Sequence, residues 1–297
     1  MPRAAIDIGS NSLLLLIVND DGDVLHDQAT VVGLGKGLGD RGLFQPDRMQ
    51  AAEQTLAEYV STAGEHGVPP QRIRAVATSA ARRALNAETW FKRVRRTMGI
   101  GVDIISGDEE ARLTWLGSLR DLPDCDEPLL VVDLGGGSTE LAVGGTKGVA
   151  HRVSVPVGSV RLTEEFLGDD VVERANLSRC KSWVDVSLQR FDFDQPRAAT
   201  VVGVAGTVTT LACMAQGLTE YDRDTVHGSH ISRTQLQQAM EQLMPMTPDE
   251  RRKAVPSSPA RAAYLVAGAA ILDRVLAAAG QEEMLVSDRG LRYGVVG

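Results

Sequence analysis

Two stretches decide the fold: residues 3–32, RAAIDIGSNSLLLLIVNDDGDVLHDQATVV, and residues 129–155, LLVVDLGGGSTELAVGGTKGVAHRVSV. The first begins with an apolar strand at residues 3–8, which runs into Gly9-Ser10-Asn11-Ser12. A second apolar strand covers residues 13–19, and the turn Asp20-Asp21-Gly22-Asp23 leads to a third at residues 24–32. The second stretch repeats this order. A strand ends at Asp133-Leu134, Gly135-Gly136-Gly137-Ser138 follows, and strands at residues 139–143 and 149–155 flank a turn over residues 144–148. Each unit carries an aspartate at the end of its first strand, Asp7 and Asp133, 126 residues apart (133 − 7). A single glycine turn is weak evidence, but two copies a domain length apart point to duplication.

The flanking sequence agrees. Pro46 opens a helix through Ala63, with Met49, Ala52, Leu56, Tyr59, Val60 and Ala63 on one face. Strands are expected at residues 74–78, 101–105, 201–204 and 284–287, and helices at 79–86 and 106–119. The acidic segment 121–128, with Pro123 and Pro128, reads as a hinge. The expected architecture is two α/β domains of similar topology, residues 1–122 and 123–297, with a cleft between them.

Composition sets the outer bounds. With 31 Lys plus Arg against 39 Asp plus Glu the net charge is −8, and 43% hydrophobic with 24% charged residues is ordinary for a globular chain. This excludes a disordered chain, a fibrous repeat and a disulfide scaffold, and it argues against nucleic acid as a partner. Cys125, Cys180 and Cys213 are odd in number and form no CxxC pair, which suits a reducing cytoplasm. No signal peptide and no apolar stretch of about 20 residues is read, so a cytoplasmic protein without a membrane partner is expected.

Glycine turns between strands can aim several backbone N–H groups at one anion. Ser10, Asn11, Ser12, Ser138 and Thr139 add side-chain donors, so two facing loops would clamp consecutive phosphates. Phosphate charge calls for Mg2+, which takes one or two carboxylates plus water and phosphate oxygens. Asp133, Glu140 and Asp7 are the candidates. The alternative is a pair of plain structural hairpins. The run Gly33-Leu34-Gly35-Lys36-Gly37-Leu38-Gly39 is no Walker loop, although Lys36 is placed to face a substrate.

Residues 72–96 are the basic exception, with eight Lys or Arg against Glu88 alone. This segment reads either as a steering field for a polyanion or as a solvated helix face. Arg82 stands apart, in the first turn of a helix that follows a strand end, where guanidinium and helix N–H groups would meet one phosphate. In Ser106-Gly107-Asp108-Glu109-Glu110, Ser106 and Glu109 fit a capping box. Glu110 is left either as a helix-dipole carboxylate or as a general base. The five histidines show no metal spacing; His227 and His230 read either as substrate contacts or, the favoured reading, as surface residues.

Taken together, residues 7–12, 77–82 (ATSAAR), 106–113 (SGDEEARL), 133–140 (DLGGGSTE), 202–207 (VGVAGT) and 287–292 (SDRGLR) resemble the exopolyphosphatase / guanosine pentaphosphate phosphohydrolase (Ppx/GppA) family, in family order and over nearly the whole chain. The resemblance implies two ribonuclease-H-like domains of the actin/Hsp70/sugar-kinase superfold with an interdomain active site. It also implies a phosphoanhydride hydrolase that removes the terminal phosphate of inorganic polyphosphate or of pppGpp, with Mg2+ (or Mn2+) as cofactor and a homodimer as the common assembly. It maps the catalytic base to Glu110 and phosphate binding to Asn11, Ser12, Arg82, Gly136, Gly137, Ser138, Gly206 and Thr207. The metal positions map to Asp133, Glu140 and Asp7. Many members continue into helical domains of the HD type, whereas this chain stops at Gly297, so a short two-domain form preferring short polyphosphates is expected. Where the closing block often reads Leu-Arg-Glu-Gly, this chain has Tyr293, a candidate dimer or substrate contact. The competing readings are pppGpp hydrolysis, a kinase, and a non-catalytic phosphate or alarmone sensor.

Overall fold

The computed structural model describes residues 1–38, 42–194 and 196–297. The chain divides into two compact units. In the first, β1 (Arg3–Ile8), β2 (Ser12–Val18) and β3 (Val24–Val31) form an antiparallel meander. It continues through α1 (Pro46–Glu65), β4 (Ile73–Ala77), α2 (Ser79–Arg83), α3 (Ala87–Met98), β5 (Val102–Ile104) and α4 (Gly107–Ser118). The sheet order is β3-β2-β1-β4-β5, with β4 parallel to β1 and β5 parallel to β4. The apolar run of β2 follows from burial on both faces. Leu13, Leu15 and Ile17 pack in the core that holds Leu56, Tyr59 and Trp90, and Leu16 and Val18 pack in the opposite one with Leu113.

The second unit repeats the plan. β6 (Leu129–Leu134), β7 (Thr139–Gly145) and β8 (Gly148–Val155) form the meander, followed by α5 (Ser159–Leu162), α6 (Arg174–Leu188), β9 (Thr200–Val204) and α7 (Gly206–Ala215). Then come α8 (Arg223–Val226), β10 (His230–Ser232), α9 (Arg233–Leu243), α10 (Pro248–Ala254), α11 (Leu265–Ala279) and β11 (Glu283–Val286). The order is β10-β11-β9-β6-β7-β8, with β6, β9 and β11 mutually parallel and β10 an added antiparallel edge. The shared 3-2-1-4-5 order makes both units ribonuclease-H-like α/β folds, as the sequence led one to expect.

Two features depart from expectation. The first unit ends at Gly117 rather than at residue 122, and it takes back Leu291–Gly297, which the sequence reading had assigned to the second domain. The returning segment forms α12 (Leu291–Val296), and burial explains its choice: Leu291, Tyr293, Val295 and Val296 fill a core with Ala5, Leu16, Val18, Val76 and Leu113. The other departure concerns apolar length. The helical stretch Pro259–Ala279 is long and apolar enough by composition to cross a membrane, although no such stretch was read. It is mostly buried, packing in the second unit's core against α6 and α9, as a helix apolar all round must. The three cysteines are free thiols.

Candidate active site

In the first unit the site is built at the carboxyl ends of parallel strands β1, β4 and β5, where open α/β sheets place their ligands. Asp7 lies at the end of β1, and the following turn closes when Gly9 N–H donates to Ser12 O at 3.0 Å. The turn is held from outside. Val32 and Gly33 N–H donate to Asn11 O at 2.9 and 2.8 Å, and Gly35 N–H donates to Ser10 O at 2.7 Å. The glycine run thus braces the hairpin rather than forming a nucleotide loop of its own; its last member, Gly39, lies outside the described residues. A Cβ on Gly35 would meet Ser10 O at 3.1 Å and the Ala80 side chain at 3.4 Å, so Lys36, which is exposed, sits one residue from the hairpin and from α2. Asn11 Oδ1 is buried with no hydrogen-bond partner among the described residues.

Arg82 and Glu110 meet. Arg82 Nη1 donates to Glu110 Oε2 at 2.6 Å and to Ile105 O at 3.0 Å. The Glu110 side chain is only 8% exposed, and that of Arg82 24%. The expected helix N-terminus behind Arg82 is slight, because α2 has five residues and no side-chain cap from Thr78. What positions Arg82 is the carbonyl at the end of β5 and the carboxylate on α4. One bond of the expected capping box is present. Ser106 Oγ accepts from Glu109 N–H at 3.1 Å, but the Glu109 carboxylate turns to Arg112, taking two bonds of 2.8 Å. Glu109 is therefore surface structure, and Glu110 is the carboxylate turned inward.

In the second unit Asp133 and Glu140 stand directly opposite each other across the β6–β7 hairpin. Glu140 is 2% exposed, and its Oε1 accepts from Ser138 Oγ and Ser154 Oγ, each at 2.7 Å. Gly135 N–H donates to Ser138 O at 3.0 Å, and Ser159 and Arg161 N–H donate to Gly135 O and Gly136 O at 3.0 Å each. Thr139 Oγ1 donates to Val157 O at 2.7 Å. A Cβ on Gly158 would come within 2.5 Å of the Gly136–Gly137 backbone, so only glycine lets this brace close.

Val204, the register neighbour of Asp133, leads into Ala205, Gly206 and Thr207 at the start of α7. Ala205 has φ +79, a strained conformation for a residue with a Cβ, of the kind retained at functional turns. Sequence reasoning missed Arg261. Its guanidinium lies against Gly206, where a Cβ would meet it at 2.5 Å, and its Nη1 donates to Ser258 Oγ at 3.1 Å. No motif announces it, since it arrives from a distant 3-10 turn; the nearest hint was a glycine at the helix start.

The predicted residues thus fall into two sets: Asp7, Asn11, Ser12, Arg82 and Glu110 in the first unit, and Asp133, Gly136, Gly137, Ser138, Glu140, Gly206 and Thr207 in the second. Among the described residues no three His, Cys, Asp or Glu side chains gather as metal ligands within either unit; Asp133 and Glu140 are a pair, and Asp7 belongs to the other unit. His227 is not a surface residue. Its side chain is 11% exposed, and its Nδ1 lies 3.1 Å from Asp288 Oδ1. Tyr293 is buried with its hydroxyl donating to Asp27 at 2.7 Å, which removes it as a dimer or substrate contact.

A glycine hairpin with an inward carboxylate in each half of a repeated α/β fold is suited to holding an anion. Residues 17–297 match the Ppx/GppA phosphatase family. The chain is 33% identical to Exopolyphosphatase 2 of Mycobacterium tuberculosis, over 98% of this chain and 96% of that protein. Among solved structures, the PPX-GPPA enzyme of Aquifex aeolicus is 34% identical with TM-score 0.81, covering 99% of this chain and 98% of that one. An exopolyphosphatase from Cytophaga hutchinsonii is 27% identical with TM-score 0.90, covering 99% and 96%. The chain belongs to the Ppx/GppA family and is a phosphatase.

Proposed function

We propose that this phosphatase is an exopolyphosphatase, hydrolysing the terminal phosphoanhydride bond of inorganic polyphosphate with Glu110 as general base. The observation that carries this is the nearly buried Glu110 carboxylate held 2.6 Å from Arg82 at the strand ends. A guanidinium binds phosphate bidentately, as it binds carboxylate, so a phosphate can compete with Glu110 for Arg82. With Arg82 turned to the terminal phosphate, Glu110 accepts a proton from the water that attacks in line, and the shortened polyphosphate leaves. The names of the relatives support polyphosphate as the substrate.

A divalent cation, Mg2+ or Mn2+, fits the second unit: the donors at the hairpin are all hard oxygens, Asp133 and Glu140 facing each other with Ser138 Oγ beside them. When bound, it would neutralise charge on the phosphate oxygens. The protein's own part is to place those oxygens with the backbone N–H groups of Gly136 and Gly137, the Gly206–Thr207 helix start and Arg261. Because this positioning is pre-formed by the brace, it costs no reorganisation during the reaction.

The test is phosphate release from tripolyphosphate, long polyphosphate and pppGpp, side by side, for the native chain and Glu110→Gln. Glu110→Gln should lose about 100-fold or more in kcat while still binding polyphosphate. Undiminished turnover in that variant removes Glu110 as base, and release from pppGpp alone removes polyphosphate as substrate.

A further inference from the structure

The basic segment noted in the sequence is not absorbed by the site. Its Arg82 enters the ion pair, but half of its eight cations lie further on, along α3. Ala87, Trp90, Phe91 and Val94 face the core, and Glu88, Lys92, Arg93, Arg95 and Arg96 are exposed. Arg93 pairs with Glu53 of α1, which also accepts from the Trp90 indole at 2.6 Å. Among the described residues no carboxylate pairs with Lys92, Arg95 or Arg96, and Glu88 is the one acid on the helix itself. Lys92 to Arg96 covers about 6 Å of helix axis. That is within the roughly 10 Å over which charges act together at ordinary ionic strength. A chain of net charge −8 therefore keeps a concentrated positive stripe on one helix of the unit that carries Glu110.

The helix starts four residues after α2, whose Arg82 is at the site, and runs back along β4 until Gly99 packs on Pro70 just before that strand. The stripe thus leads away from the phosphate that Arg82 would hold. We infer that the solvent face of α3, through Lys92, Arg95 and Arg96, is a second polyanion-binding surface that holds the part of an inorganic polyphosphate chain remote from the bond being cut. This rests on the polyphosphate reading above. A narrow, flexible strand with a charge on every phosphate suits a stripe of three cations, whereas the acidic remainder of the chain repels a wide duplex. Length then registers in KM rather than in kcat, since only chains that reach α3 gain from it.

The test is the triple variant Lys92→Glu/Arg95→Glu/Arg96→Glu, whose positions are exposed and outside the site. On tripolyphosphate its kcat/KM should stay within about twofold of the native value, while KM for long polyphosphate should rise roughly tenfold at low salt, with the gap closing as KCl is raised. Equal KM values on the long chain, or a gap that ignores salt, overturn the inference. A merely structural role, with Arg95 and Arg96 offsetting the helix dipole, would lower thermal stability and leave KM alone, which also overturns it. Binding of end-labelled long polyphosphate, followed by anisotropy in a Glu110→Gln background, decides the question without turnover. Weaker binding by the triple variant supports the surface even if no polyphosphate is hydrolysed, the outcome in which the proposed activity alone fails. Displacement of long polyphosphate by duplex DNA at comparable concentration makes α3 a nucleic-acid surface and overturns the assignment.

Discussion

The two glycine hairpins are alike in backbone and unlike in charge. Each closes with a glycine N–H donating 3.0 Å to the carbonyl of a serine, Gly9 to Ser12 and Gly135 to Ser138. Each is braced from outside by the chain that follows its third strand, through Gly33 and Gly35 in one and Ser159 and Arg161 in the other. The difference is one cross-strand position. Asp133 faces Glu140, whereas Asp7 faces Leu14. The two units keep one hairpin scaffold and differ in the carboxylates placed beside it. The second hairpin holds two facing carboxylates. Beside the first, the inward carboxylate of Glu110 and its partner Arg82 come from neighbouring elements.

The largest effect should come from breaking the braces. Gly158→Ala puts a methyl group into the Gly136–Gly137 backbone, which cannot retreat without opening the loop, and should cost about 3 kcal/mol together with most activity. Gly35→Ala meets Ser10 O at 3.1 Å, a contact relieved by a small shift, and should cost about 1 kcal/mol. Thermal unfolding and phosphate release on both variants check the pair. Equal costs would mean that the two braces are closer in construction than their distances show.

Next in size is the effect of the divided charge. Glu140→Gln keeps an acceptor for Ser138 and Ser154 but removes the facing carboxylate, and should raise the Mg2+ concentration for half-maximal activity roughly 10- to 100-fold. Asp7→Asn, opposite Leu14, should move that midpoint less. A metal titration of both variants that reversed the order would place the cation on the first hairpin instead.

The sequence showed the hairpins because they are local. Apolar alternation, a glycine turn and the carboxylate before it all fall within a dozen residues, and the strand ends fell within one or two residues of those observed. Glu110 was legible in part, since the step from Glu109 to Glu110 rotates the side chain inward; Glu109 itself takes Arg112, one turn away, as a bidentate partner. The groups that place these residues were not legible. Gly33 and Gly35 read only as a run that is no Walker loop, because nothing local says that their N–H groups point back to residues 10 and 11. Arg261 reaches Gly206 across 55 residues (261 − 206), and α12 rejoins the first unit because its apolar face completes a core built from β1, β2, β4 and α4. Such choices are made by packing, which periodicity does not record.

The closing block shows this best, because what reads as one motif is two anchors in two units. Beyond Gly290, Arg292 binds Asp27 through Nε and Nη2 at 2.8 and 3.0 Å. Before it, Asp288 sits buried in the second unit, accepting from Tyr221 Oη at 2.9 Å and Arg223 Nε at 2.6 Å beside His227. Burial pushes the Asp288 carboxyl upward, but the His227 hydrogen bond, the Arg223 charge and the Tyr221 hydroxyl outweigh it, so the group titrates well below the usual aspartate range. The sign follows from linkage: a carboxylate with a depressed native pKa contributes stability that is full above the unfolded value of about 3.9 and is lost as pH falls below it. The native chain should therefore lose stability more steeply than Asp288→Asn between about pH 5 and the acid limit. The two melting curves should be separated by a few degrees at neutral pH and converge in acid. Parallel pH profiles for the two proteins would show that the Arg223–His227–Tyr221 ring holds residue 288 by shape rather than by charge. The second anchor would then match the first in kind and differ only in its residues.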